Sequence, residues 1–309
     1  MMRFGLVGTG YWARETHATA LAAHPGAELV GVWGRSFERA TGLADSFGAE
    51  AYRDVDEMFA DVDAVAFAVP PDVQGELAVR AAARGCHLLL DKPVAFTSEA
   101  ADRVVGAVDQ AGVRSLVFFT SRYCAAQAEW LEQVQQEPGW NSGYVRKYAS
   151  IFGPGSPYAS SPWRRERGSL WDIGPHALSI LLPALGPVTH VVADRGQGDT
   201  VTVVLHHESG AASTMSLSLT APPGSQGSTW LLFGEDRQTS MPDATTTSVE
   251  AMGACISALT ADQPGPWQHP CDVHFGREVV QILQAADEFL QRPLDDRVQS
   301  VTPAEGIRR

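Results

Sequence analysis

The sequence predicts an α/β part built on a doubly wound parallel sheet over residues 1–122. An α+β part with a largely antiparallel open sheet is predicted over residues 123–309. Three observations predict this. Short apolar runs alternate with amphipathic stretches through the first part, which is the rhythm of βαβ units. A glycine-rich turn closes the first apolar run at Gly8 and Gly10. After Arg122 the texture shifts to segments in which apolar and polar residues alternate, as in strands with one exposed face.

Taken in order, residues 4–7 read as the first strand and 11–23 as the helix after it. Residues 28–33 and 64–69 read as further strands, the latter buried because it is made of small and β-branched residues. An apolar run at 86–90 leads to a helix over 98–111, started by Ser98, and then to a strand at 115–119. Beyond Arg122, a helix over 125–136 ends in Glu137-Pro138-Gly139, and 144–152 reads as a strand. A loop rich in Gly, Pro and Ser spans 153–169 and leads into a helix over 170–185. Strand patterns follow at 190–194, 200–207, 211–219 and 229–233, and helices at 248–259 and 272–290 close the chain.

Composition narrows the function classes. A length of 309 residues makes two domains the natural expectation. The net charge of -13 argues against broad binding to polyanionic nucleic acid, and Arg164, Arg165 and Arg167 are too few to reverse it. No apolar stretch approaches the ~20 residues needed to span a bilayer. The N-terminal apolar run breaks at glycines before an export signal could form. Cys86, Cys124, Cys255 and Cys271 are scattered and form no CxxC pair, so the expectation is a soluble cytoplasmic protein with reduced thiols.

Gly8-Thr9-Gly10-Tyr11-Trp12-Ala13 carries the first chemical signal. Gly8 permits a tight turn, Gly10 lets backbone N–H groups approach a pyrophosphate, and Ala13 lets the helix pack closely on the sheet. Following a strand and opening a helix, the motif points to a Rossmann dinucleotide site. An acidic residue closing the second strand would bind the ribose 2′-hydroxyl of NAD. This chain has Trp33-Gly34-Arg35-Ser36 there, while Glu28 lies at the wrong end. Arg35 and Ser36, with Arg39 a turn later, suit a 2′-phosphate, so NADP is favoured over NAD.

At Gly85-Cys86-His87-Leu88-Leu89-Leu90-Asp91-Lys92-Pro93 the chain resembles the glucose-fructose oxidoreductase/inositol dehydrogenase family. The resemblance continues through Trp163-Arg164 and Gly168-Ser169-Leu170-Trp171-Asp172-Ile173-Gly174-Pro175-His176. It covers nearly the whole chain in order. It implies that Lys92 reaches between nicotinamide and substrate hydroxyl, and that Asp172 and His176 line the substrate pocket, with His176 as the acid/base. Elementary chemistry is compatible with these roles. A spacing of i,i+4 puts Asp172 and His176 on one helical face, a histidine titrates near neutrality, and an ammonium can stabilise an alkoxide. Taken singly, Asp172 could be a helix cap, His176 a satisfied half-buried histidine and Lys92 a surface lysine.

The chain also departs from the family pattern. Asp91 stands where Glu is usual, Gln74 where many members have histidine, and Val69-Pro70-Pro71 replaces a Thr-Pro-Asn-like turn. Ser179 stands where many members carry a second aspartate. These changes bear on the substrate more than on the reaction. Val69, Pro70, Pro71, Gln74, Asp91 and Pro93 are candidate cofactor contacts, and Arg122, Tyr123, Trp163 and Arg164 candidate substrate contacts. Arg122 and Tyr123 could equally bridge the two parts. No metal site is expected, because His206 and His207 would point to opposite faces of a strand. His269 and Cys271 alone are too few ligands.

The resemblance therefore implies an NAD(P)-dependent dehydrogenase or reductase acting on a sugar, cyclitol or other small polyol. A nicotinamide-dependent glycosidase and a non-catalytic cofactor-binding regulator are the alternatives. The alternating strands of the second part further predict a homo-oligomer assembled through that sheet.

Overall fold

The computed structural model describes residues 1–222, 224–262 and 266–297. The first part of the chain runs β1 (Met2–Val7), a π-helical turn Ala13–Ala18 continuing into α1 (Thr19–Ala23), and β2 (Ala27–Trp33). It proceeds through α2 (Phe37–Phe47), β3 (Glu50–Tyr52), α3 (Val55–Asp61) and β4 (Ala64–Phe67). Then come α4 (Pro71–Ala83), β5 (His87–Asp91), α5 (Ser98–Ala111) and β6 (Ser115–Phe118).

These strands form one parallel sheet in the order β3-β2-β1-β4-β5-β6. Helices cover both faces, so the central strands can be apolar throughout: every residue of β4 and Leu88, Leu89 and Leu90 of β5 are buried. The strand order reverses between β1 and β4, and this is where a doubly wound sheet opens a crevice at its carboxyl edge. Caps fix the helices beside it. Ser36 Oγ accepts from Arg39 N at the start of α2, and Thr97, rather than Ser98, caps α5.

The second part begins with a 3₁₀ turn at Thr120–Tyr123 and α6 (Ala125–Gln136), then β7 (Trp140–Tyr148) and α7 (Pro162–Leu185). Strands β8 (Val188–Arg195), β9 (Val201–His207), β10 (Ala212–Ser218), β11 (Gly227–Gly234) and β12 (Gln238–Ser240) follow, then α8 (Ser248–Thr260) and α9 (Val273–Gln291). The sheet order is β12-β11-β7-β10-β9-β8. It is mixed rather than wholly antiparallel, since β7 and β10 pair in parallel. Helix α7 covers its inner face. Helices α8 and α9 return to the first sheet and pack beside β6.

The structure corrects the boundaries in two places that matter for the site. Strand β7 runs over Trp140–Tyr148, four residues earlier than its apolar pattern suggests, because it is paired on both sides by β10 and β11. Helix α7 starts at Pro162, inside the stretch read as loop, and is broken at Gly168 (φ 67°), a left-handed conformation that suits glycine. That break redirects the helix so that Arg164 on one side of it approaches Asp172 on the other.

Candidate active site

The crevice at the strand reversal is built around the glycine turn. Gly8 N donates to the Trp33 carbonyl, and Ala68 N donates to the Val7 carbonyl, which draws the turns after β1, β2 and β4 together. Gly8 has φ 133°, and a Cβ there would lie 2.5 Å from the Ala68 carbonyl oxygen. Only glycine permits this approach. At Gly10 a Cβ would meet nothing within 4 Å, so the backbone borders open space where the following helix starts. Such an opening, at a helix N-terminus with a glycine backbone, fits a pyrophosphate.

Beside the turn lies a cleft of about 310 Å³, bordered by Thr9, Trp33, Arg35, Ser36, Arg39 and Val69 among others. Its lining holds two arginines and no carboxylate. It shares Gly10, Val69 and Pro70 with a hollow of about 220 Å³ that extends past Tyr11, Trp12, Pro71 and Asp91 to Lys92, Trp163 and Arg164. That hollow shares Trp12, Lys92 and Arg164 with a cavity of about 160 Å³ containing Asp172 and His176. Thr120 and His176 also border another cavity, of about 580 Å³, over the inner face of β7 and β11. A row of adjoining hollows, forming a channel with shared walls, thus runs from the glycine turn, across the junction of the two parts, to the second sheet.

At its centre, Lys92 Nζ donates to the Asp172 carbonyl at 2.6 Å and to Asp172 Oδ1 at 2.9 Å. Arg164 Nε lies 3.2 Å from the same Oδ1. Burial pushes the Asp172 carboxyl up, but Lys92 and Arg164 together outweigh it and hold its pKa below the ordinary value. Asp91 accepts from the Lys92 backbone N–H, and its buried carboxyl is pushed up. His176 lies one turn beyond Asp172. Burial, then the charges of Lys147, Lys92 and Arg164, hold its pKa well below 6.5, so the imidazole is neutral. Its Nδ1 is buried without a partner among the described residues, an unfavourable state unless another group completes the site.

Lys92, Arg164, Asp172, His176, Trp12 and Trp163 therefore converge, although the sequence separates them widely. Gln74 does not line the channel. Its amide bonds the Asp91, Pro93 and Val94 carbonyls and the Asp91 N–H, bracing the turn that presents Lys92 through a cis Lys92–Pro93 bond. Ser36 lines the cleft while capping α2. Tyr123 turns away from the channel, as does Arg122. The Tyr123 ring stacks on His269 at 6.1 Å beside Cys255 and Cys271, and Arg122 donates to the Ser179 carbonyl, tying α7 to the junction. All four cysteines are free and buried, and no cluster of metal ligands occurs among the described residues.

Lys147, Thr120 and Tyr158 belong to the site but were not singled out from the sequence. Lys147 had a signal: it continues the period-two face of Gly143 and Val145, both buried, so a strand starting at Trp140 turns this lysine inward.

Comparison with known proteins agrees with this fold. Residues 2–119 match the model of an oxidoreductase family with an NAD-binding Rossmann fold, and residues 142–238 match the GFO/IDH/MocA C-terminal domain. The chain is 30% identical over 227 residues to D-apiose dehydrogenase of Paraburkholderia graminis, covering 69% of this chain and 59% of that one. It is 32% identical over 123 residues to glucose-6-phosphate 3-dehydrogenase of Bacillus subtilis, covering 40% and 35%. The matched stretches thus span about a third to three fifths of these relatives. The WlbA dehydrogenase of Bordetella pertussis, solved in complex with NADH and UDP-GlcNAcA, superposes with a TM-score of 0.79 at 23% identity, over 93% of this chain and 96% of that one. With two family models in order across both sheets, the chain belongs to the GFO/IDH/MocA oxidoreductase family.

Proposed function

We propose that the chain is an NADP-dependent dehydrogenase or reductase that interconverts a carbinol and a ketone in a sugar, cyclitol or related polyol. The observation that carries this reading is the meeting of Lys92, Asp172 and His176 midway along the channel that begins at the glycine turn. Gly8, Thr9, Gly10, Val69 and Pro70 would hold the dinucleotide, and Arg35, Ser36 and Arg39 its 2′-phosphate. The absence of any carboxylate from that cleft supports NADP over NAD. The names of the sugar dehydrogenase relatives support the substrate class.

When bound, the nicotinamide accepts or supplies the hydride. The rest falls to the protein. In the oxidative direction the neutral His176 imidazole takes the hydroxyl proton as the carbon loses hydride, and in reduction it returns it. The Lys92 ammonium stabilises the oxygen as negative charge develops. Asp172 fixes that ammonium by two hydrogen bonds and is itself held by Arg164. Trp12 and Trp163 wall the channel against water.

In this reading residues 1–122 bind cofactor, and residues 123–309 bind substrate and form a homo-oligomer through the outer face of the second sheet. The test of the reaction is a panel of sugars, cyclitols and ketones supplied with each cofactor and followed by nicotinamide absorbance. Reduction of NADP by a sugar or polyol is the expected result. Turnover with NAD alone would overturn the cofactor assignment, and the absence of any cofactor turnover would overturn the reaction.

A further inference from the structure

The cavity of about 580 Å³ beyond His176 has a composition that selects among sugars. Its lining is rich in hydroxyls and amide, including Thr120, Ser121, Gln127, Ser228 and Thr229, which suits a polyhydroxylated ligand. Within this polar wall lies a single cation, Lys147, and the one carboxylate of the lining, Asp243, sits on an exposed segment. Lys147 Nζ has neither hydrogen bond nor ion pair among the described residues. The ammonium lies 5.9 Å from the centre of the Trp230 ring. Burial, then the like charge of Lys92, pulls its pKa down to about 8, with the more remote Asp172 opposing them only in part. A half-buried ammonium without a directly paired counter-ion is costly in a folded protein, and the natural remedy is an anion supplied by the ligand.

The charges around it point the same way. Asp172 is taken up at contact distance by Lys92 and Arg164 and reaches Lys147 only through space, so no carboxylate pairs directly with Lys147 among the described residues. The lining contains no arginine, the side chain suited to bidentate grip on a phosphate dianion. One ammonium among hydroxyl donors matches a single negative charge. Lys147 and His176 line the same cavity, so a group bound to Lys147 would share it with the hydroxyl that reacts at His176.

We infer that Lys147 is a specificity-determining residue and that the substrate is a sugar bearing a carboxylate, held by Lys147 in the cavity beyond His176. This rests on the sugar-oxidoreductase reading above and adds to it the charge of the substrate.

The test compares D-glucuronate and D-galacturonate with D-glucose, D-galactose and D-glucose 6-phosphate. Each is measured for turnover with NADP and for binding to the NADPH complex by nicotinamide fluorescence. The inference predicts that a uronate binds more tightly than its parent sugar, and that Lys147→Met reduces this preference by about 10- to 100-fold. Lys147→Arg, which keeps the charge, retains most of it. Parent sugars binding as well as uronates, a preference for the phosphate, no binding of either uronate, or a preference unchanged in Lys147→Met would each overturn the inference. The two readings fail separately. Lys147-dependent uronate binding without hydride transfer keeps the carboxylate site and removes the reaction, while turnover of neutral sugars without acid preference does the reverse.

Discussion

At the residue scale, charge does most of the selecting. A general base must be neutral to accept a proton, and it serves at any pH above its pKa. Burial and three neighbouring cations hold His176 well below 6.5, so kcat/KM for oxidation should stay level as pH falls through that value. Lys147→Met removes one of those cations and should move the acid limb upward. A limb centred near 6.5 in the unmodified protein would contradict the assignment. At the other end of the channel, Arg35→Ala should remove a charge-assisted contact of roughly 1.5–3 kcal/mol, lowering NADP affinity about 10- to 100-fold and leaving NAD affinity nearly unchanged. Titrating both cofactors into both proteins checks this. Lys92, Asp172 and His176, which the structure brings together, could be picked out of the sequence because each lies in a local motif, whereas the pairing of Arg164 with Asp172 left no trace there. Tyr123 was not, since a sequence cannot tell which way a residue points at a junction, and this one points into a nest of apolar side chains and cysteines.

At the scale of elements, apolar runs flanked by turn residues gave away the central strands, whose burial on both faces leaves little room for polar residues. Short or exposed pieces escaped: β3 has three residues and β12 likewise, too few for any periodicity to appear. The start of α7 was hidden because its first residues, Pro162 to Arg167, are mostly polar and stand before a glycine break. The parallel pairing of β10 with β7 depends on contacts distant in sequence and leaves no local trace. The glycine turn offers a separation of fold from function. Gly8→Ala forces a Cβ to within 2.5 Å of a backbone carbonyl at a positive φ, so it should destabilise the fold by roughly 1–3 kcal/mol and lower Tm. Gly10→Ala puts its methyl into open space, so Tm should hold while cofactor affinity falls about 10-fold or more. Thermal melts with and without NADP distinguish the two, and equal loss of Tm in both variants would contradict this division.

At the scale of the whole molecule, the candidate site takes residues from both parts of the chain and lies where they meet. No helix among the described residues is long and apolar enough to cross a membrane. The outer face of the second sheet carries a row from Leu231 through Tyr144, Thr214 and Val204 to Val192, which is 40% exposed. Burial of that row between copies is the basis for the proposed homo-oligomer. Light scattering at micromolar concentration should return at least twice the 33.1 kDa chain mass, and Val192→Lys should lower it; a monomer in the unmodified protein would refute the interface. The central claim is that residues from both parts form one proton- and hydride-transfer unit. It is tested most directly by the turnover of His176→Ala on a verified sugar substrate, followed by nicotinamide absorbance at saturating NADP. The predicted result is a loss of roughly two to four orders of magnitude in kcat with NADP affinity nearly unchanged, because His176 lies on α7, outside the dinucleotide cleft. Near-normal turnover in that variant, or release of free sugar from a glycoside with no net change in nicotinamide absorbance, would contradict the account.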